Sequence, residues 1–202
     1  MKLYYSKGAC SLSPHIAACE AELPLELVEV DLQSKRTKAG EDFRLVNPNG
    51  YVPVLVLDDG NRLTEGPAIV QYLADRAPDK KLAPAAGTFE RYQLQQWLNF
   101  ISTEIHKGGF GLWFNPSMPE AAKRVAIASL ISRLETVSDH LSSRAFLLGE
   151  HFTVADGYLF VTLRWGVYVN VDIGRWPVLA NYAAKIGARP AVQKALREEG
   201  LV

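Results

Sequence analysis

The sequence predicts an α/β domain of order βαβαββα followed by an all-helical domain. Three observations carry that reading. Short strand-like runs and turn signals fill residues 1–80 and then cease. The stretch from Pro78 to Gly87 is rich in proline and charge and lacks an apolar period, the composition of a linker, which is assigned to residues 81–87. Beyond it, from residue 88 to 202, apolar residues recur only at helical spacing.

Lys2 to Ser6 reads as a strand, with Leu3, Tyr4 and Tyr5 bounded by Lys7-Gly8. A helix follows, Ser13 serving as N-cap and Pro14 as first helical residue, with Leu12, Ile16, Cys19 and Leu23 at spacings of three and four. Leu25 to Leu32 is a second strand, Lys35 to Glu41 a polar loop and Asp42 to Val46 a single helical turn. Asn47-Pro48-Asn49-Gly50 is a turn. Val54 to Leu57 returns through Asp59-Gly60, a type I′ pair, into Arg62 to Thr64. Gly66-Pro67 opens a helix that runs to Arg76 and buries Ile69, Val70 and Leu73.

In the second half, Leu94, Leu98, Ile101 and Ile105 form one stripe and Leu130, Leu134, Val137 and Leu141 another. Thr153-Val154-Ala155-Asp156 is a capping signature ahead of an apolar run from Tyr158 to Val169, which predicts a central helix buried on every side. Two shorter helices follow from Trp176, broken at Arg189-Pro190.

Of 202 residues, 48% are apolar and 22% charged, ordinary globular usage. The 22 basic and 22 acidic residues balance, and the densest basic run, Lys35 to Lys38, is followed at once by acids. Nucleic-acid binding, which draws its affinity from phosphate neutralisation, is therefore not expected. No apolar window reaches the ~18 residues of a membrane span. Ile16-Ala17-Ala18-Cys19 has the outline of a lipoprotein cleavage box, but Lys7, Ser11, Ser13, Pro14 and His15 interrupt the apolar region a signal peptide needs. A cytoplasmic protein is expected, with both cysteines, Cys10 and Cys19, reduced.

Cys10 lies between the first strand and the first helix. A helix N-terminus stabilises an anion, and cysteines so placed have pKa values of roughly 3.5 to 7.5. Cys10 is thus a candidate nucleophile, whereas Cys19 falls on the packed face of the helix. Cys10-Ser11-Leu12-Ser13 is similar to a C-x-x-C redox loop whose second cysteine is serine. With no internal partner, a mixed disulfide on Cys10 needs a second small thiol to resolve it, and glutathione is the natural one.

The ordered set Lys2-Leu3-Tyr4-Tyr5, Cys10-Ser11-Leu12-Ser13, Asn47-Pro48, Val52-Pro53-Val54-Leu55, Thr64-Glu65-Gly66, Ile69 to Asp75, Trp97-Leu98-Asn99, His106-Lys107-Gly108 and Phe152 to Asp156 resembles the bacterial glutathione S-transferases of the beta class, over essentially the whole chain. The resemblance implies a thioredoxin-like domain that holds glutathione and a helical domain that forms most of the second-substrate pocket. It implies a cis proline at Pro53, with Val52 pairing its backbone to the cysteinyl part of glutathione. Glu65 and Gly66 match the site for the γ-glutamyl end, where helix amides take the carboxylate and Glu65 the ammonium. Lys35 matches a contact to the glycyl carboxylate.

Cys10, His106 and Lys107 match the catalytic positions, and Tyr5, Ser11, Asn99 and Ile105 also match positions in the glutathione site. Thr103 and Glu104 match residues that reach glutathione from a neighbouring subunit, so a homodimer is implied. Phe110, Trp113, Phe114, Trp165 and Tyr168 are candidates for the second-substrate pocket. The departures lie in Tyr51, where relatives often carry glutamine, and in the glycine-rich run Gly109 to Trp113.

The activity implied is transfer of glutathione to small hydrophobic electrophiles, with His106 available as general base near its ordinary pKa of about 6.5. Thiol-disulfide exchange or reductive dehalogenation through Cys10 is the second possibility, and a binding module that keeps the fold alone is the third. No metal is expected, because His15, His106, His140 and His151 show no ligand pairing in the sequence.

Overall fold

The computed structural model describes all 202 residues, which form two compact units: Met1–Ala83 with Arg189–Val202, and Pro84–Ala188. The sequence reading assigns everything after residue 87 to the helical domain. The segment from Arg189 departs from that: it is part of the first unit. Its helix, α8 (Pro190–Glu198), buries Val192, Ala195 and Leu196 on one face, and α1 (Leu12–Glu20) supplies the surface that covers them. Arg189 adds a two-pronged ion pair to Glu20, at 2.6 and 2.8 Å.

The rest of the first unit comprises β1 (Lys2–Tyr5), β2 (Glu26–Asp31), β3 (Arg36–Thr37), β4 (Val54–Val56), β5 (Arg62–Thr64) and α2 (Gly66–Asp75). The five strands lie in the order β3-β2-β1-β4-β5; β1 and β2 are parallel and the other pairs antiparallel. Sequence patterning reads β3 as loop because only Thr37 of its two residues is buried. Side chains alternate across the sheet. Tyr4 turns to one face and stacks on Phe43 at 5.5 Å, within a cluster of Val30, Val52 and Val54. Leu12, Ile16, Ile69, Val70 and Leu73, on the packed pair α1 and α2, are fully buried, at about 1.5–3 kcal/mol each.

Two local expectations give way to side-chain chemistry. α1 starts at Leu12, not after Ser13; Ser13 lies inside it with a buried, unpartnered hydroxyl. The β4–β5 turn is not type I′, since only Gly60, at φ 86°, has positive φ. Leu57 and Asn61 pair across a three-residue loop ending in that glycine. Asp59 holds it, accepting from the Asn61 backbone at 2.9 Å and side chain at 2.8 Å.

The second unit holds α3 (Phe89–Phe100), a π-helical continuation (Ile101–Gly111), α4 (Leu112–Phe114), α5 (Glu120–Leu141), α6 (Val154–Arg164) and α7 (Pro177–Gly187). The two predicted stripes are buried. Every residue of α6 from Val154 to Leu163 is buried, but the predicted run to Val169 is not one helix buried on every side: α6 ends at Arg164, a 3-10 helix takes Trp165–Val169, and Val167 and Tyr168 are exposed. The cap of α6 centres on Asp156, which accepts from the Thr153 backbone (2.8 Å) and hydroxyl (2.9 Å), the Leu147 N–H (2.8 Å) and the Tyr182 hydroxyl (2.7 Å).

The π-helical turns are unforeseen in the apolar period. Glycine permits them: a Cβ on Gly108 would lie 2.7 Å from the Thr103 carbonyl oxygen. On Gly109 it would lie 3.0 Å from Leu130 of α5, which packs along this segment.

Candidate active site

In the first unit, the loop after β1 delivers Cys10 to the mouth of α1, half-buried. Its thiol donates to the Val52 carbonyl at 3.4 Å. The Val52–Pro53 peptide is cis. Gly66, which opens α2, stands beside Pro53; a Cβ there would meet the proline ring at 3.9 Å. Glu65 is exposed and adopts φ 64° and ψ 115°, a conformation that costs a non-glycine residue about 1–3 kcal/mol. Cys10, Val52, Pro53, Gly66 and Glu65 thus follow one another along a continuous strip. Strained backbone held next to an exposed carboxylate and a helix N-terminus suits recognition of an amino acid's paired charges.

Other first-unit candidates have definite occupations. The buried Ser11 hydroxyl accepts from the Ser6 N–H at 3.1 Å and donates its proton to the Ser6 carbonyl at 3.2 Å. It closes the β1–α1 loop, and that proton is not directed at a ligand. Tyr5 is buried, 6.4 Å from the His15 ring, and burial pushes its phenol above the usual range, so it stays protonated. Lys35 donates to the Gly50 carbonyl at 3.0 Å, with its ammonium 5.5 Å from the Tyr51 ring centre.

In the second unit, the π-helical segment presents His106. Its Nδ1 lies 2.7 Å from the Tyr158 hydroxyl and its ring meets Trp165 edge-on at 4.9 Å. Burial, and then the charge of Lys107, lower its pKa to about 4. At pH 7 the imidazole is neutral and a weak base, which corrects the expectation of a titration near 6.5; hydrogen bonding through Nε2 is its stronger capability. Sequence periodicity overlooks Tyr158, which lies in the apolar run; its signal was a phenol that needs a partner when buried.

Phe110, Phe114, Trp165 and Tyr168 form one chain of ring contacts at 5.5 to 6.5 Å. Phe110 and Trp165 are buried, whereas Phe114 and Tyr168 are exposed. Trp113 stands outside this group, with the Lys123 ammonium 5.8 Å from its ring. Asn99, Thr103 and Lys107 are exposed, and the Thr103 hydroxyl donates to the Asn99 carbonyl at 3.0 Å. Glu104 accepts from Arg133 at 2.9 Å. Ile105 is fully buried, so its side chain belongs to the core and not to a ligand surface.

A second cluster of the first unit also departs from the sequence reading. Cys19 is only half-buried, and with His15 and Glu198 it forms a group whose ligating atoms all lie within 4.8 Å of one another. The i, i+4 spacing of His15 and Cys19 was the available signal. The return of α8 that brings Glu198 has none in the local pattern.

The glutathione S-transferase N-terminal domain profile matches residues 8–76 and the C-terminal domain profile residues 119–185. The glutathione S-transferase GstA of Escherichia coli O157:H7 is 45% identical over 201 residues, covering all of both chains. The ternary complex of BphK, a bacterial GST, is 59% identical with a TM-score of 0.97, also over all of both chains. A sphingomonad glutathione S-transferase solved with glutathione is 48% identical with a TM-score of 0.95, again at full coverage. The mixed sheet with its following helices and these full-length likenesses agree: the chain belongs to the glutathione S-transferase family, in its bacterial beta class.

Proposed function

We infer that the chain binds reduced glutathione along the strip from Cys10 to Glu65 and joins it through its sulfur to small hydrophobic electrophiles, as a cytoplasmic homodimer. The observation that carries this is the contact of Cys10 Sγ with the Val52 carbonyl at 3.4 Å, which sets the thiol beside the backbone proposed to pair with the cysteinyl residue. Glu65 and the α2 N-terminus receive the γ-glutamyl ammonium and carboxylate, and Lys35 the glycyl carboxylate. The family resemblance assigns Asn99, His106 and Lys107 to glutathione binding as well, Thr103 and Glu104 to contacts made from the other protomer, and the aromatic group of Phe114 and Tyr168 to the electrophile.

Chemically, the glutathione thiol gives its proton to solvent and the thiolate attacks the electrophilic carbon. The new C–S bond forms as the leaving group departs with its electron pair. Neutral His106 and the α1 dipole favour the anion by hydrogen bonding and field, not by strong basicity. Positioning supplies the rest.

The test is glutathione-dependent conjugation of a chromogenic aryl halide by purified protein, with calorimetry for binding. Turnover and a binding isotherm are expected, and their joint absence removes the reading. The 3.4 Å contact also favours a second use of the site, in which Cys10 thiolate attacks a glutathione disulfide sulfur and expels a glutathione thiolate. Cys10→Ala abolishes that exchange while sparing conjugation in part, and mass spectrometry reads the adduct on Cys10.

A further inference from the structure

We propose that His15, Cys19 and Glu198 form a zinc site that clamps α8 to α1, separate from the glutathione strip. His15 and Cys19 are one turn apart on α1 and present Nε2 and Sγ to the same side. Glu198 approaches from α8, its Oε2 2.8 Å from His15 Nε2 and 4.0 Å from Cys19 Sγ. All three ligating atoms lie within 4.8 Å of one another. An ion at the centre needs about 2.0 Å to nitrogen and oxygen and 2.3 Å to sulfur. Glu198 is at the end of its helix with a side chain 41% exposed, so it has freedom to open the short His15 contact by the required amount.

The surroundings match those of a working histidine ligand. His15 Nδ1 is 3.0 Å from Oε1 of Glu199, a fully buried carboxylate. The other oxygen of Glu199 accepts from the Gly8 N–H at 2.9 Å, which fixes the carboxylate. A carboxylate on Nδ1 orients the ring and makes Nε2 a better donor to metal. Imidazole, thiolate and one carboxylate form a set that suits zinc and excludes magnesium and calcium, which take oxygen ligands. Three protein ligands leave a fourth position for water. The half-exposed Cys19 and Glu198 provide the entry path. Two cations compete for Glu198: the protonated His15 ring itself, 2.8 Å from Oε2, and Lys194, 3.9 Å from Oε1 and on the same helix. On binding, zinc replaces the proton between His15 and Glu198 and the thiol proton of Cys19, and both protons pass to solvent.

The experiment uses the full chain, reduced and dialysed against a chelator, and titrates it with cobalt(II) as a spectroscopic stand-in before zinc. One cobalt per chain is expected, with a thiolate-to-cobalt charge-transfer absorption that zinc abolishes. The absorption persists in Cys10→Ser and is lost in Cys19→Ser. Glu198→Gln, which keeps the side chain's size and a hydrogen-bonding oxygen at a half-exposed position, weakens zinc binding by about tenfold or more. Zinc also raises the thermal midpoint of the wild type and of Cys10→Ser but not of Cys19→Ser. Absence of the absorption in the wild type, its survival in Cys19→Ser, or an unchanged zinc affinity in Glu198→Gln overturns the proposal. Conjugation activity is read separately, so failure here leaves the glutathione reading untouched.

Discussion

Acidification from pH 7 to pH 4 puts the environment of His106 to a direct test. In an unfolded chain the imidazole titrates near 6.5; in the fold, burial and then Lys107 lower this to about 4. Folding therefore favours the neutral ring, and the unfolded chain binds the extra proton first. The sign follows: this contribution to stability is complete above pH 6.5 and declines as pH falls through 6.5 toward 4. At 1.36 kcal/mol per pH unit, the loss is about 3 kcal/mol. Two measurements check it. Histidine resonances followed by NMR place the His106 midpoint near 4. Urea unfolding at pH 7 and at pH 4.5 shows a steeper loss in the wild type than in His106→Gln, which retains a polar partner for Tyr158 but has no proton to take up. A His106 midpoint near 6.5, or parallel pH dependences in the two proteins, refutes the reasoning. The same neutrality implies that conjugation between pH 7 and pH 5 shows no inflection from this ring.

Asp156→Ala strands four donors from Thr153, Leu147 and Tyr182 and costs at least about 3 kcal/mol, visible as a lower urea midpoint with the catalytic groups in place. Gly108→Ala drives a Cβ to 2.7 Å from the Thr103 carbonyl, so the π-helical turns must shift; a loss of about 1–3 kcal/mol is expected, with a change in the rate of conjugation. Glu65→Gly relieves the φ 64° conformation, stabilising the fold by about 1 kcal/mol while weakening glutathione binding by calorimetry. Leu98→Ala, at a fully packed position, costs about 2–5 kcal/mol in chemical unfolding.

Legibility in the sequence followed the range of the interactions. The stripe from Leu94 to Ile105 is buried because periodicity reports burial directly, whereas the apolar run from Tyr158 to Val169 is buried only in part, since Val167 and Tyr168 turn outward on a 3-10 helix. The N-cap at Thr153 and the opening of α2 at Gly66 rest on neighbouring residues and were equally plain. Cys10 was found because a thiol between a strand and a helix is a local pattern. The misses were contacts of long sequence separation: Tyr158 on His106, and Glu198 and Glu199 on His15. Such pairs leave no periodic trace. The expected titration of His106 failed for a related reason, because the desolvation that lowers it comes from neighbours distant in the chain. Ser11 and Asp59 were misjudged more locally, their side chains having found backbone partners that propensity does not rank.

The return of α8 has a consequence for the order in which the protein is made. Residues 190–198 leave the ribosome only after the entire helical unit has been synthesised, yet they cover part of α1, among the earliest residues made. Until then that side of α1 faces solvent or a chaperone, and the mid-chain unit has the opportunity to fold first. A fragment ending at residue 83 carries the same exposed helix permanently, and is for that reason a poor stand-in for the intact glutathione-binding half.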